Sequence, residues 1–309
     1  MSFASTVKKE LCQNTATELS KLKAECYAML LFAKRFSYNE IIFTTENNYA
    51  AARFVDLMTI LFSPLIEKQT TLKAVKKKTQ LYTIKIIDSL ECEKIFTYFG
   101  HSKSDVTLRI NRANIEEDYN KSDFLRGAFL ACGSVNDPEK NYHLEFCVPY
   151  KSLCADLSTL IREIDETQII SKQILRTGSF VEYIKDSEQI ADLLTYMGAY
   201  NCAMEIMGAK AMKQLRNVVN RKRNSEVANL GKTAAASAKQ INAIEKIKNN
   251  IGFESLPPQL LQLANIRLEN PELSLRDLGQ MMSPPISRSG VNHRIEKILE
   301  IADSINSKE

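Results

Sequence analysis

The sequence predicts an α+β domain made of two related halves, followed by an all-helical segment that ends in a helix-turn-helix. Three observations predict this class. A sequence motif of 15 residues occurs twice in the first two thirds of the chain. After Gly198 the composition changes to almost continuous helix-forming residues. Three short helical patterns, separated by prolines, then close the chain.

The repeated signature reads IIDSLECEKIFTYFG at residues 86–100 and IKDSEQIADLLTYMG at residues 184–198. An Asp-Ser pair stands at the same place in each copy, at Asp88 and at Asp186. Such a pair is typical of a helix N-cap, because its oxygens accept from free amides of the first turn. Two copies are too few for a solenoid. They predict one pseudo-two-fold domain, with repeats at about residues 20–100 and 120–198.

The sequence pattern of each copy predicts the element order α-β-β-α-β-β-α. The first strand has only a weak sequence signal. In copy one we expect helices at residues 24–36 and 49–62 and after Asp88, and strands at residues 40–44 and around a basic turn at Lys76–Lys78. In copy two we expect helices at residues 123–133, 151–164 and 186–197, and strands at residues 142–148, 167–175 and 179–184.

The opening helix of each copy carries small residues. They are Ala24, Ala28 and Ala33 in the first helix, and Gly127, Ala128, Ala131 and Gly133 in the second. Small side chains let two helix backbones approach more closely than the usual 8–10 Å. We therefore expect these two helices to form the contact between the halves.

Positive charge is concentrated in one segment. Residues 201–250 carry 10 basic and 3 acidic side chains, a net of +7, whereas residues 1–200 have a net of −1 and residues 251–309 a net of −2. This basic helical joint, with Arg221, Lys222, Arg223 and Lys232, indicates a polyanionic partner or a solvated linker helix. The sequence GKTAAASAKQ predicts that the helix restarts at Lys232. The predicted domains are therefore residues 1–200, the joint at 201–250, and a third domain at 251–309.

The C-terminal domain predicts three helices, at residues 258–269, 274–282 and 287–305. Ser274, with Asp277 three residues later, resembles a capping box. The front of the last helix is polar and basic, and its candidate DNA-binding residues are Ser287, Arg288, Ser289, Asn292, His293 and Arg294. In a helix-turn-helix the second helix enters the major groove with its amino end, where Arg can pair with guanine and Asn with adenine. The alternative is a three-helix domain that binds protein through the same polar face.

Several function classes find no support in the chain. Seven scattered cysteines without a CxxC pair predict reduced thiols in a cytoplasmic protein. No signal peptide or apolar membrane span is evident. Three histidines without ligand spacing predict no metal site, and no glycine-rich phosphate loop is complete, so no cofactor is expected.

Three stretches identify a family. They are FLRGAFLACGSVNDP at residues 124–138, NRKRNSEVANLGKT at residues 220–233, and LSLRDLGQMMSPPISRSGVNHRIEKI at residues 273–298. With these the whole chain resembles the WhiA transcription regulators. The resemblance implies a degenerate LAGLIDADG homing-endonuclease-like saddle joined to a helix-turn-helix. It also implies a nucleoid-associated transcription regulator that binds double-stranded DNA and is linked to sporulation, cell division or chromosome segregation. Other transcription factors or RNA polymerase are candidate further partners.

The resemblance also bears on catalysis. In a cleaving LAGLIDADG protein, each opening helix ends in an acid that binds divalent metal for two-metal chemistry. Aligning Gly133 with the final glycine of that motif puts Cys132 at the acid position, and the equivalent in copy one is Ala33, followed by Lys34. Neither residue offers the hard oxygen ligands that Mg²⁺ requires. We therefore expect no nuclease activity. The alternatives are a residual nuclease that uses an acid such as Asp137, and an adaptor whose saddle binds a protein or ligand.

Overall fold

A computed structural model of the chain describes residues 2–13, 17–73, 79–116, 118–164 and 169–305. It divides into two compact units, Met1–Lys213 and Gln214–Glu309. The predicted basic turn at Lys76–Lys78 and the first residues of the strand predicted from Thr167 lie outside the described residues. No described helix is long and apolar enough to cross a membrane.

The first half of unit 1 contains the predicted order of elements. A leading helix α1, Phe3–Gln13, precedes it. The half then comprises α2 Leu19–Leu31, β1 Arg35–Phe36, β2 Ile41–Thr45, α3 Asn48–Phe62, β3 Ile66–Lys73, β4 Thr79–Ile86 and α4 Ser89–Tyr98. The first helix ends at Leu31, so its predicted extension to Phe36 is wrong. Phe36 instead pairs with Ile41, because the two-residue strand β1 turns back on β2.

The second half repeats this order. It comprises α5 Asp118–Cys132, β5 Gly133–Val135, β6 Leu144–Val148, α6 Lys151–Arg162, β7 Lys172–Arg176, β8 Ser179–Ile184 and α7 Ser187–Met197. Each half has one antiparallel sheet, in the orders β1-β2-β4-β3 and β5-β6-β8-β7. The weakly marked early strand is present in both halves, and the duplicated α+β architecture is confirmed.

The Asp of each repeated signature is the N-cap of the closing helix. Asp88 Oδ1 accepts from the backbone N–H of Leu90 at 2.8 Å. Asp186 Oδ1 accepts from the backbone N–H groups of Glu188 and Gln189, at 2.9 and 3.0 Å. The carboxylates therefore satisfy amide donors that the first turn of each helix leaves free.

The opening helices α2 and α5 pack against each other, as their small residues predict. A Cβ added to Gly127 would overlap the backbone carbonyl oxygen of Glu25 and lie 2.9 Å from the Cβ of Ala28. Because the obstructing atoms belong to the helix backbone and its first side-chain carbon, they cannot rotate away. The absence of a side chain at Gly127 is what allows this close approach.

Unit 2 has a separate apolar core. It contains the later part of α8, Tyr200–Asn250, together with α9 Pro258–Glu269, α10 Leu275–Met281 and α11 Arg288–Ser304. The helix α8 is continuous, so the predicted restart at Lys232 is wrong. A glycine inside a helix costs only about 1 kcal/mol relative to alanine, and Gly231 is followed by strong helix formers.

Both ends of α8 are held by packing. Cys202, Ala203 and Ile206 are buried in the core of unit 1, and Ile244 and Ile247 are buried in the core of unit 2. The carboxylate of Glu10, on α1, accepts from the backbone N–H groups of Asn201 and Cys202 at 2.7 and 3.0 Å. A negative charge at a helix amino end also favours the helix dipole.

We predict that Gly127→Ala destabilises the chain by about 1–3 kcal/mol, because the added methyl group forces α2 and α5 apart. Gly208→Ala is the matched control, since a Cβ there would meet nothing within 4 Å. The control should be neutral or stabilising by up to about 1 kcal/mol. Denaturant unfolding measures both variants, and equal stabilities would contradict the close-packing account.

Candidate nucleic-acid interface

The last helix, α11, presents a polar edge and buries an apolar one. Val291, Ile295, Ile298 and Ala302 are buried in the core of unit 2. Ser287 is the N-cap, and its hydroxyl oxygen accepts from the backbone N–H of Gly290 at 3.2 Å. The structure thus gives Ser287 a local role at the start of the helix.

Four of the six candidate residues on this helix share its exposed side. Arg288, Ser289, Asn292 and His293 are exposed. Since successive helical residues are about 100° apart, these four lie within an arc of about 140°. Arg294 is half-buried and lies about 100° beyond His293 around the helix. Arg294 therefore flanks the polar side instead of belonging to it.

Asn292 lies near the middle of this side. Its Nδ2 donates to Glu296 Oε1 at 2.8 Å. This contact is exposed and joins residues one turn apart, and it orients the amide of Asn292 along the helix surface. An amide offers both a donor and an acceptor, which matches the edge of adenine in the major groove.

The helix α10 packs closely against the start of α11. The hydroxyl oxygen of Ser274 accepts from the backbone N–H of Asp277 at 3.3 Å, so the predicted N-cap is confirmed. Its O–H donates to Asp277 Oδ2 at 2.7 Å, so the carboxylate binds the cap hydroxyl and not the backbone N–H of a full capping box. A Cβ on Gly279 would overlap the carbonyl oxygen of Ile286 and lie 3.1 Å from Val291 Cγ2. Gly279 therefore permits the tight crossing between the two helices.

The basic joint is solvent-exposed over a long stretch. Every residue of α8 from 214 to 236 is exposed, including Arg221, Lys222, Arg223 and Lys232. Arg221 Nε donates to the backbone carbonyl of Asn217 at 3.3 Å. At 1.5 Å per residue, Lys232 lies about 14 Å along the helix from Arg223. The basic triplet and Lys232 are thus separate points of positive charge.

Lys232 and Arg288, which are distant in sequence, line the same cleft in unit 2. Its volume is about 480 Å³. Two further cations line it, Arg276 on α10 and Arg267 on α9, and sequence reasoning identified neither. Arg267 did leave a signal, because it is a lone cation inside the apolar run LLQLANIRL. Its side chain is 2% exposed.

The sheet registers allow the two proposed degenerate catalytic positions to be compared. Phe36 pairs with Ile41 in one half, and Val135 pairs with Leu144 at the same place in the other. Counting back from these pairs aligns Ala33 with Cys132. Ala33 is buried at 7% exposure, and burial raises the pKa of the Cys132 thiol.

A lysine lies near Cys132. Lys8, on α1, donates from Nζ to the backbone carbonyl of Leu130, in the last turn of α5, at 3.0 Å. Burial lowers the pKa of Lys8 to about 8, and the nearby Cys132 opposes that change. When protonated, Lys8 places a positive charge at this helix end, where it would repel a metal ion.

Two further observations concern metal binding. Asp137, the acid considered as a substitute ligand, is exposed, and its Oδ1 accepts from the backbone N–H of Glu139 at 2.9 Å. Among the described residues, no group of three or more His, Cys, Asp or Glu side chains is placed to hold a metal ion.

We predict that replacing Lys8 changes how stability depends on pH. In the unfolded chain its ordinary pKa is 10.5, and in the folded chain it is about 8. Between these values the unfolded chain holds more protons, so the contribution of Lys8 to stability rises with pH. The free energy of unfolding of wild type, relative to that of Lys8→Met, should therefore rise by up to about 3 kcal/mol between pH 7 and pH 10.5. Denaturant unfolding measures the difference, in which other titrations cancel. A difference that does not change with pH would contradict the burial of this charge.

Comparison with known proteins agrees with this geometry. A family model described as "WhiA LAGLIDADG-like domain" matches residues 121–216, and one described as "WhiA C-terminal HTH domain" matches residues 219–302. A protein of Thermoanaerobacter pseudethanolicus named "Probable cell division protein WhiA" is 37% identical over 318 residues, covering 100% of this chain and 99% of the relative. A protein of the same name from Clostridium beijerinckii is 35% identical over 321 residues, covering 99% of each.

The crystal structure of full-length DUF199/WhiA from Thermotoga maritima is also similar. It matches with a TM-score of 0.59 at 25% sequence identity, covering 98% of this chain and 99% of that chain. The duplicated α+β unit, the helix-turn-helix and the full-length relatives lead to one conclusion: this chain belongs to the WhiA family, with a degenerate LAGLIDADG-like domain followed by a C-terminal helix-turn-helix domain.

Proposed function

We propose that this chain is a sequence-specific, DNA-binding transcription regulator of the cytoplasm and nucleoid, without nuclease activity. The observation that carries the proposal is the exposed polar side of α11, which is the second helix of the helix-turn-helix. The names of the relatives suggest that the regulated process is cell division, and the family resemblance adds chromosome segregation or sporulation.

Base reading is assigned to Arg288, Ser289, Asn292 and His293. They project from the first two turns of α11, the part of a recognition helix that contacts base edges. Arg can donate two hydrogen bonds to guanine, and Asn can pair with adenine through its amide. Arg294 and Ser287 are assigned supporting roles, since one lies on the flank and the other caps the helix.

Phosphate anchoring is assigned to Arg221, Lys222 and Arg223. Their segment carries a net charge of +7, whereas residues 251–309 carry −2. The reading helices alone therefore lack the charge to hold a polyanion firmly. Contacts to phosphate supply affinity and register but little sequence information, which suits an exposed helix that carries three adjacent cations.

The absence of nuclease activity is supported by the chemistry at the aligned helix ends. Alanine and a neutral thiol replace the acids that a cleaving relative uses, and Lys8 adds positive charge near one of them. Divalent metal is not favoured by such a group of side chains.

A second candidate function, protein binding, is favoured by the apolar residues on the exposed stretch of α8. Leu215, Val218, Val219, Val227 and Leu230 are each more than half exposed. Exposed apolar side chains of this density are typical of interaction surfaces. RNA polymerase or another transcription factor would be a partner consistent with the proposed regulation.

We predict that Asn292→Ala lowers the preference for the specific site. Fragments selected from the host genome by the full chain would first define that site. Loss of one paired base contact costs about 1–3 kcal/mol, so the ratio of specific to scrambled affinity should fall about 5-fold to 150-fold. Lys297→Ala is the control, because Lys297 lies in the third turn of α11, beyond the first two turns that contact base edges. An unchanged ratio in both Asn292→Ala and Arg288→Ala would refute the reading role of α11.

We predict a different effect for the basic triplet. Replacing Arg221, Lys222 and Arg223 together with Ala should weaken specific and non-specific binding by similar factors. Each lost phosphate contact flattens the slope of log affinity against log salt by about 0.9, so the slope should flatten by about 2–3. Binding titrations across a salt series give this slope. A preserved slope with loss of only the specific complex would assign base reading to these residues.

A further inference from the structure

The cleft in unit 2 that joins Lys232, Arg267, Arg276 and Arg288 has the chemistry of an anion site. These cations come from α8, α9, α10 and α11, so the fold assembles them from four separate segments. None of the ten described residues that line the cleft is acidic. Four positive charges without a lining carboxylate create a strongly positive field, which an anion would neutralise.

The most buried of the four cations is only partly satisfied. Arg267 Nη1 donates to the backbone carbonyl of Leu273 at 2.8 Å. Its Nε has no hydrogen-bond partner in the described part of the chain. Burial lowers the pKa of Arg267 without a carboxylate to oppose the effect. A buried guanidinium in this state is costly, and an incoming oxyanion would relieve that cost.

A second buried polar group lies at the same place. Gln240, on α8, is 7% exposed and lines the cleft, and its Oε1 has no partner among the described residues. Side-chain amide O and N atoms are assigned by their partners, so a flipped amide would present its NH₂ donors to an anion. Two nine-tenths-buried polar side chains with unused capacity therefore line one positive cleft.

The size and the donor geometry indicate the ligand. A volume of about 480 Å³ falls within the range of small-molecule sites, about 300–1,000 Å³. Arginine forks match the oxygens of phosphate better than those of smaller anions, and three of the four cations are arginines. We infer that this cleft binds a phosphoryl group, offered either by a small phosphorylated molecule or by the DNA backbone beside α11.

The two sources have different consequences. Arg288 belongs both to the cleft and to the exposed side of α11. A small phosphorylated molecule that engages Arg288 would compete with DNA for it, and each ligand would weaken the other by the same factor. A backbone phosphate would instead position the start of α11 on the duplex. The second source depends on the proposed DNA binding, and the first does not.

The test uses the full chain and two variants. Arg276→Ala removes an exposed cation of the cleft, and Lys297→Ala removes an exposed cation of α11 that does not line the cleft. In the first arm, inorganic pyrophosphate is titrated calorimetrically into each protein at physiological salt, without DNA. If a small molecule is the source, wild type and Lys297→Ala bind one pyrophosphate, and Arg276→Ala binds about tenfold or more weakly.

In the second arm, binding of the selected duplex is measured over a salt series. If the DNA backbone is the source, pyrophosphate does not bind to the free protein. Arg276→Ala then flattens the salt slope by about 0.9, and Lys297→Ala leaves it unchanged. The inference is overturned if Arg276→Ala equals Lys297→Ala in both arms. Failure of the proposed function is recognised separately, because wild type would then bind no duplex at all while the pyrophosphate arm still reports on the cleft.

Discussion

The close approach of α2 and α5 at Gly127 is the constraint on which the rest of unit 1 depends. The backbones of these two helices are in contact there, and each helix belongs to one half of the unit. The two halves therefore share this contact. Charged side chains are buried there, and two of them form a bidentate ion pair. Arg53 donates to both carboxylate oxygens of Glu25, at 2.8 and 2.6 Å, and Arg126 approaches the same carboxylate at 3.9 Å. Removing one partner of such a buried pair leaves an uncompensated charge, at a cost of about 3–5 kcal/mol.

The same contact extends to the closing helix of the second half. Arg126 Nε also donates to the backbone carbonyl of Met197 at 3.0 Å, which ties α5 to the closing helix α7. The end of α5, near Cys132, is also held by the hydrogen bond from Lys8 of α1 to the carbonyl of Leu130. These packing contacts and hydrogen bonds stabilise the duplicated unit.

Much of this fold could be predicted from the sequence. Asp88 and Asp186 gave the caps of the closing helices, and the small residues gave the α2–α5 contact, because both signals are local. The strand β1 was only weakly marked because it has two residues. The predicted helix restart at Lys232 was wrong because the single glycine before it does not end a helix that alanines continue. The cleft was missed because its four cations come from four helices, and no single stretch of sequence shows them together.

We propose that unit 2 binds DNA specifically and that unit 1 does not cut it. One experiment tests both parts. The full chain is incubated with the selected duplex and with Mg²⁺ or Mn²⁺, and each sample is divided between a native and a denaturing gel. We expect a retarded complex on the native gel and intact strands on the denaturing gel. Strand breaks that disappear in Asp137→Ala, or a complex that forms equally with scrambled duplex, would contradict it.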